Sequence, residues 1–261
     1  MTLELLWEQP GLPQADLPDE LRGFYGGGLG LPDHCVYANF VESLDGIVAI
    51  PTLERSNALV ADGNDDDKFL MGILRAFADV VLVGSGTLLA SPTGRWRPEG
   101  VYPKAKALFA ELRSRLGKAE HPAVAVVTRG VSLDVAHPVL AEAVVLTTAQ
   151  GAEKPQGALP DVVAVNDGEW VDLRAALDVL RARGHASVLA EAGPTTFGML
   201  LAQALVDELF LTVSPMLVGR RDPGRRLGLV EGVELSPEVR IAPRLLSLRR
   251  AGSHLFTRYA F

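Results

Sequence analysis

Two glycine turns, a few arginines and two carboxylates are the residues of this chain whose types and spacing could do chemistry. In "VGSGTLLA" an apolar run ends at Gly84 and Gly86, followed by Thr87. Glycine lets backbone N–H groups come close to a phosphate, and Thr87 can donate a hydroxyl or cap the next turn. Leu89 stands where G-x-G-x-x-G needs its third glycine, so the standard dinucleotide fingerprint is not met, and a tight turn without ligand also explains the pair. "AEAGPTTFGMLL" is sharper. Gly193 and Pro194 break a strand, Pro194 suits a first helical position, and Thr195 and Thr196 set hydroxyls beside the free N–H groups of a new helix. Glu191 ends the apolar run "SVLA", where a charge is unfavourable unless it meets water, a partner or a ligand. It could accept hydrogen bonds from sugar hydroxyls or ring amines, or pair with an arginine.

"AVAVVTRG" ends in Thr128 and Arg129. An arginine fork there could hold the 2′-phosphate that separates NADP from NAD, or could simply be solvated. Arg75, and Arg95 and Arg97 in "GRWRP", are candidates for a substrate phosphate; Trp96 between the latter two could stack on a base or cover core. "VYANFVESLDGIVA" places Asn39 among apolar residues and ends a strand in Ser43, Asp45 and Gly46, a polar end that suits the mouth of a pocket. Arg220, Arg221, Arg225 and Arg226 read as a solvated basic turn. The five histidines have no ligand spacing, the acids of "DGNDDD" lack the alternation and terminal glutamate of a calcium loop, and neither a P-loop nor a G-x-S-x-G elbow occurs. No metal site is expected, and hydrolase and kinase chemistry drop out.

These residues need a frame of strands and helices. "VYANFV", "DVVLVG", "AVAVV", "AVVLTT", "DVVAVN" and "SVLA" read as buried strands. Between them, "DDDKFLMGILRAFA" spaces Phe69, Ile73 and Phe77 four apart, with Asp65, Asp66 and Asp67 at its start, where acids favour the helix dipole. "KAKALFAELRSRLG" is a helix closed by Gly117, and "VDLRAALDVLRARG" is one capped by Asp172, with Leu173, Leu177 and Leu180 on one face and Gly184 past its end. Continuous apolar strands separated by helices predict a mostly parallel sheet covered on both faces, with ligands at the carboxyl ends of its strands. "RLLSLRRAGSHLFTRYAF" reads as a closing antiparallel β-hairpin. The first residues, rich in proline and glycine, read as an arm rather than a strand or long helix. The expected organisation is an arm over residues 1–35 and a single domain over 36–261.

The chain has 261 residues, 48% of them hydrophobic and 22% charged, which is globular composition. A net charge of -7 opposes nucleic acid and anionic membranes, a single cysteine suits a reducing compartment, and no apolar run is long enough to span a bilayer. A cytoplasmic protein is expected.

In combination, "ANFVESLDG", "LRAFADVVLVGSGT", "VVTRG" and "VLAEAGPTTFGMLLAQALVDELFLTVSPMLVG" resemble the pyrimidine reductase family of riboflavin biosynthesis, the reductase half of the bacterial bifunctional deaminase-reductase. The resemblance covers about Val36 to Phe261; the zinc signature of the deaminase half does not occur, so a stand-alone reductase is the nearer likeness. It implies a dihydrofolate-reductase-like three-layer α/β fold, NADPH as cofactor, a ribosylamino-pyrimidine 5′-phosphate whose ribosyl group becomes ribityl, and a homodimer. By the same resemblance Val41, Ala58, Gly84, Gly86, Thr87, Thr128, Arg129 and Gly193, Pro194, Thr195, Thr196 and Phe197 would hold the cofactor. Asn39, Ser43, Ser56, Arg75, Arg95 and Glu191 would face the substrate. Asp45, Glu191 or a water would supply the proton that hydride transfer requires. Asn39 stands where many bifunctional members have lysine, which could favour a diamino-pyrimidinone over the deaminated substrate. A dihydrofolate reductase acting on a pterin and a nucleotide-binding protein without catalysis are the alternatives.

Overall fold

The computed structural model describes residues 2–54, 56–130, 133–153, 159–221 and 225–261. In chain order the strands are β1 (Glu4–Glu8), β2 (Cys35–Glu42), β3 (Val80–Gly84), β4 (Ala123–Val127), β5 (Val144–Thr148), β6 (Val162–Asn166), β7 (Ser187–Ala190), β8 (Glu208–Val213), β9 (Arg244–Ala251) and β10 (His254–Ala260). The helices are α1 (Asp19–Tyr25), α2 (Ser56–Val60), α3 (Asp65–Phe77), α4 (Ser85–Ala90), α5 (Pro98–Val101), α6 (Lys106–Arg115), α7 (Ala149–Glu153), α8 (Leu173–Ala182) and α9 (Pro194–Ala202).

The strands form one 10-stranded sheet in the order β1-β9-β10-β8-β2-β7-β3-β4-β5-β6. From β8 to β6 neighbouring strands are parallel, whereas β10, β9 and β1 extend the sheet by antiparallel pairing. Alternate strand residues point to opposite faces, so Tyr37, Val81 and Val126 meet Phe69, Ile73 and Phe109 of α3 and α6. Val36, Leu82 and Ala125 meet Leu177, Leu180, Phe197 and Leu200 of α8 and α9. Helices therefore cover both faces, and the long apolar strand runs follow from burial on both sides.

Helix boundaries follow local chemistry. Asp172 accepts a hydrogen bond from the Ala175 N–H at 3.1 Å, and Gly184 adopts φ 88° just past α8. At α3 the cap is Asn64, whose side chain accepts from the Asp67 N–H at 2.9 Å. The expected dipole acids divide: Asp65 is exposed and pairs with Lys68 and Lys104, while Asp67 is buried.

The N-terminal residues depart from the expected absence of a strand. β1 pairs with β9, and Glu8 and Glu4 bind Arg249 and Arg250 on it. As an edge strand its Leu5, Leu6 and Trp7 stay half-exposed, so "ELLWE" carries no alternation, and its partner lies at the other end of the chain.

Candidate functional site

A cavity of about 680 Å³ opens at the carboxyl ends of β2, β3, β4 and β7. It brings both glycine turns together. Gly84, Gly86 and Thr87 line one side and Gly193, Pro194, Thr195 and Thr196 another; a Cβ placed on Gly84 would lie 3.5 Å from the Thr196 hydroxyl. Placed on Gly86 or Gly193, a Cβ would meet no protein atom within 4 Å. Their backbone thus faces open space, which leaves room for close approach by a phosphate group. α9 begins at Gly193 with Pro194 at its first position and no side-chain cap, so the N–H groups of its first turn lack a protein side-chain partner.

Arg75 and Glu191 meet in the wall. Arg75 Nε donates to Glu191 Oε1 at 2.8 Å and Nη2 to Oε2 at 2.6 Å, a bidentate pair whose side chains are 11% and 10% exposed. Arg75 Nη1 also donates to the Arg97 carbonyl at 3.3 Å. The carboxylate at the end of β7 is therefore balanced by an arginine, and Arg75 keeps two of its five N–H donors for other partners.

Asn39 and Val41 line the cavity from β2, and the Asn39 Oδ1 is buried with no hydrogen-bond donor among the described residues. Ser56 lines it too, its hydroxyl accepting from the Ile50 N–H at 3.0 Å. Thr128 and Arg129 reach it from the end of β4; the Arg129 guanidinium lies 4.0 Å from the Trp170 ring centroid and 3.7 Å from Glu169.

Ser43, Asp45, Ala58, Arg95, Arg97 and Phe197, all singled out in the sequence, are not among the residues that line this cavity. Ser43 and Asp45 form a turn: Ser43 Oγ donates to Asp45 at 2.6 Å, the Val218 and Gly219 N–H groups donate to the same carboxylate at 3.1 and 2.7 Å, and Gly46 takes φ 80°. These donors hold the exposed Asp45 carboxyl down to about 2. The polar end of β2 thus ties two loops together. Arg95 lies in a separate hollow of about 310 Å³ with Arg97, His121 and His185, 3.4 Å from Glu142. Phe197 is buried against Phe40, ring centroids 4.9 Å apart, and Ala58 is exposed on α2.

Conversely, the cavity contains residues that sequence reasoning passed over. Asp67 and Met71 line it with Arg75, and so does Trp170. The spacing of Asp67, Met71 and Arg75, four residues apart, puts them on one stripe of α3; once Arg75 was suspected, that spacing was the available signal. Asp67 is 5% exposed, and burial raises its carboxyl to about 6, with the nearby Thr212 hydroxyl, His254 and Lys68 pulling the other way.

A model of the RibD C-terminal domain matches residues 34–252. A 2,5-diamino-6-ribosylamino-4(3H)-pyrimidinone 5′-phosphate reductase of Archaeoglobus fulgidus is 28% identical over 195 residues, which is 72% of this chain and 83% of that protein. Among solved structures, a pyrimidine reductase-like protein of Corynebacterium diphtheriae superposes with a TM-score of 0.70 at 20% identity, over 92% of this chain and 97% of that one. The riboflavin biosynthesis reductase Rib7 of Saccharomyces cerevisiae gives 0.60 at 15% identity, over 94% of each chain. At these identities the structural likeness establishes the fold.

Proposed function

The chain belongs to the RibD C-terminal domain family, and from that premise we propose that it is a pyrimidine reductase of riboflavin biosynthesis. It uses NADPH to convert the ribosyl group of a ribosylamino-pyrimidine 5′-phosphate to ribityl. The observation that carries this reading is the single cavity that joins both glycine turns to the Arg75–Glu191 pair. At about 680 Å³ it is within the range of small-molecule sites.

The residues fit the cofactor. Gly84, Gly86 and Thr87, with Gly193 to Thr196, offer backbone donors and hydroxyls to its pyrophosphate. Thr128 and Arg129 take the 2′-phosphate, with Trp170 beside them as a flat surface for adenine. When bound, the reduced nicotinamide supplies a hydride. The chain's own part is to hold the pyrimidine at the other end of the cavity. The unpartnered Asn39 Oδ1 accepts from an exocyclic amine, the remaining Arg75 donors bind the substrate phosphate or sugar, and Val41 and Met71 exclude water. The reductase of Archaeoglobus fulgidus is named for a diamino-pyrimidinone, which favours that substrate here. A homodimer is part of the proposal, and the exposed Leu5, Leu6 and Trp7 on edge strand β1 offer a surface for it.

The test is steady-state NADPH oxidation by the purified protein with the diamino and deaminated ribosylamino-pyrimidine phosphates and, in parallel, with dihydrofolate. Turnover of a pyrimidine is expected. Turnover of dihydrofolate alone, or NADPH binding with every substrate inert, would overturn the proposal.

A further inference from the structure

Among the described residues, three carboxylates line the cavity: Glu54, Asp67 and Glu191. Glu54 is exposed at the rim, and both oxygens of Glu191 are occupied by Arg75. Asp67 differs from both. It is buried, makes no ion pair among the described residues, and projects from the same stripe of α3 as Met71 and Arg75. Its backbone is fixed by the Asn64 cap.

Charged and titratable groups around it are committed elsewhere. On its own helix, Lys68 binds Asp65 and the Gly63 carbonyl, and Arg75 is neutralised by Glu191. Asp65 holds Lys104 as well, and Asp66 is part-buried beside it with its carboxyl raised by burial. From β10, the His254 ring contacts the Asn64 side chain and the Ala61 carbonyl, each at 3.1 Å. From β8, the neutral Thr212 hydroxyl approaches. The carboxyl thus sits against the cavity without the ring of donors that would fix it as an anion, and burial raises it to about 6, where a general acid can both hold and release a proton near neutral pH.

We propose that Asp67 is the proton donor of the reduction, delivering its proton to the ribose ring oxygen as the sugar opens. The inference rests on the reductase reading above. In the step, the C1′–O4′ bond breaks and its electron pair leaves with O4′, which takes the Asp67 proton and becomes a hydroxyl. The amine nitrogen lone pair forms the C1′=N bond. C1′ then gains a hydride and is reduced while the nicotinamide is oxidised, and Asp67 regains its proton from solvent.

The experiment compares wild type, Asp67→Asn and Asp67→Glu by kcat against pH, by fluorescence titration of NADPH binding, and by thermal melting. For Asp67→Asn, kcat should fall about 100-fold or more while NADPH affinity stays within about twofold and the melt remains cooperative. The wild-type kcat/KM should fall as pH rises through the Asp67 titration, the Asn variant should lose that limb, and the Glu variant should recover part of the rate. An Asn variant that keeps kcat within about threefold, or Asn and Glu variants that lose rate and NADPH affinity together, would overturn the inference while leaving the reductase reading in place. A wild-type protein inert toward the pyrimidines would instead overturn the reductase reading, and this inference with it.

Discussion

The turn after β2 and the cavity face of α3 each carry an aspartate close to where the parallel strands end, and the two are in opposite environments. Asp45 is exposed and accepts hydrogen bonds from the Ser43 hydroxyl and the Val218 and Gly219 N–H groups. Its carboxyl is held at about 2. Asp67 is buried with little to stabilise its charge, and stands near 6. A carboxylate surrounded by donors is locked as an anion and serves to join backbone segments; one buried without them retains a proton that chemistry can use. The sequence alone offers Asp45, Glu191 or a water as the proton source; the contrast in surroundings is the ground on which Asp67 is proposed instead.

Arg75→Ala is the strongest perturbation of this contrast, because it strips Glu191 of its partner and makes it a second buried, uncompensated acid. Breaking so buried a pair should destabilise the protein by about 3 kcal/mol, read as a lower urea midpoint, and abolish reductase turnover. Unchanged stability would mean that Glu191 finds water.

Asp67→Asn should have the reverse effect on stability. Because the folded-state carboxyl is raised above its unfolded value of 3.8, the folded protein binds that proton more tightly. The associated stability is present below that value and is lost as pH rises through about 6. At pH near 8 the Asn variant should therefore be more stable than wild type by about 3 kcal/mol, with the gain gone in acid, as checked by denaturant melts across pH. A loss of stability at high pH would place a compensating cation beside Asp67.

Arg129→Ala addresses the end of the cavity proposed for the cofactor. It should weaken NADPH binding about tenfold and leave NADH binding nearly unchanged, as measured by titration. Equal losses for both would reassign Arg129 to stacking on Trp170.

The smallest effect belongs to Asp45→Asn. A depressed carboxyl contributes stability above its unfolded value and loses it as pH falls through about 2. The variant should melt somewhat lower at neutral pH, converge with wild type in strong acid, and change kcat by less than about threefold. A large fall in kcat would return Asp45 to the chemistry.

Much of the scaffold was legible because it is local. The strand runs, the Asp172 cap, the glycine past α8 and the Gly193-Pro194 break are set by neighbours along the chain. The glycine turns were legible for the same reason, since a strand-to-helix turn and its donors lie within a few residues. Asp67 was not: its burial is made by β8 and β10, which lie far along the chain and bring Thr212 and His254 to it. It looked like one of three dipole acids, and only the stripe through Met71 to Arg75 set it apart. β1 was missed because its pairing partner is near the opposite terminus. Arg95 and Arg97 flank Trp96 in one motif, yet backbone direction around Trp96, with φ 50°, sends Trp96 into the large cavity and both arginines into the neighbouring hollow.

The most direct test of the reductase reading is isotopic. The protein would be supplied with NADPH deuterated at nicotinamide C4 and with the diamino ribosylamino-pyrimidine phosphate, and the product analysed by mass spectrometry and NMR. The account predicts a ribityl product carrying one deuterium at C1′. NADPH consumption without deuterium at C1′, or no ribityl product at all, would contradict it.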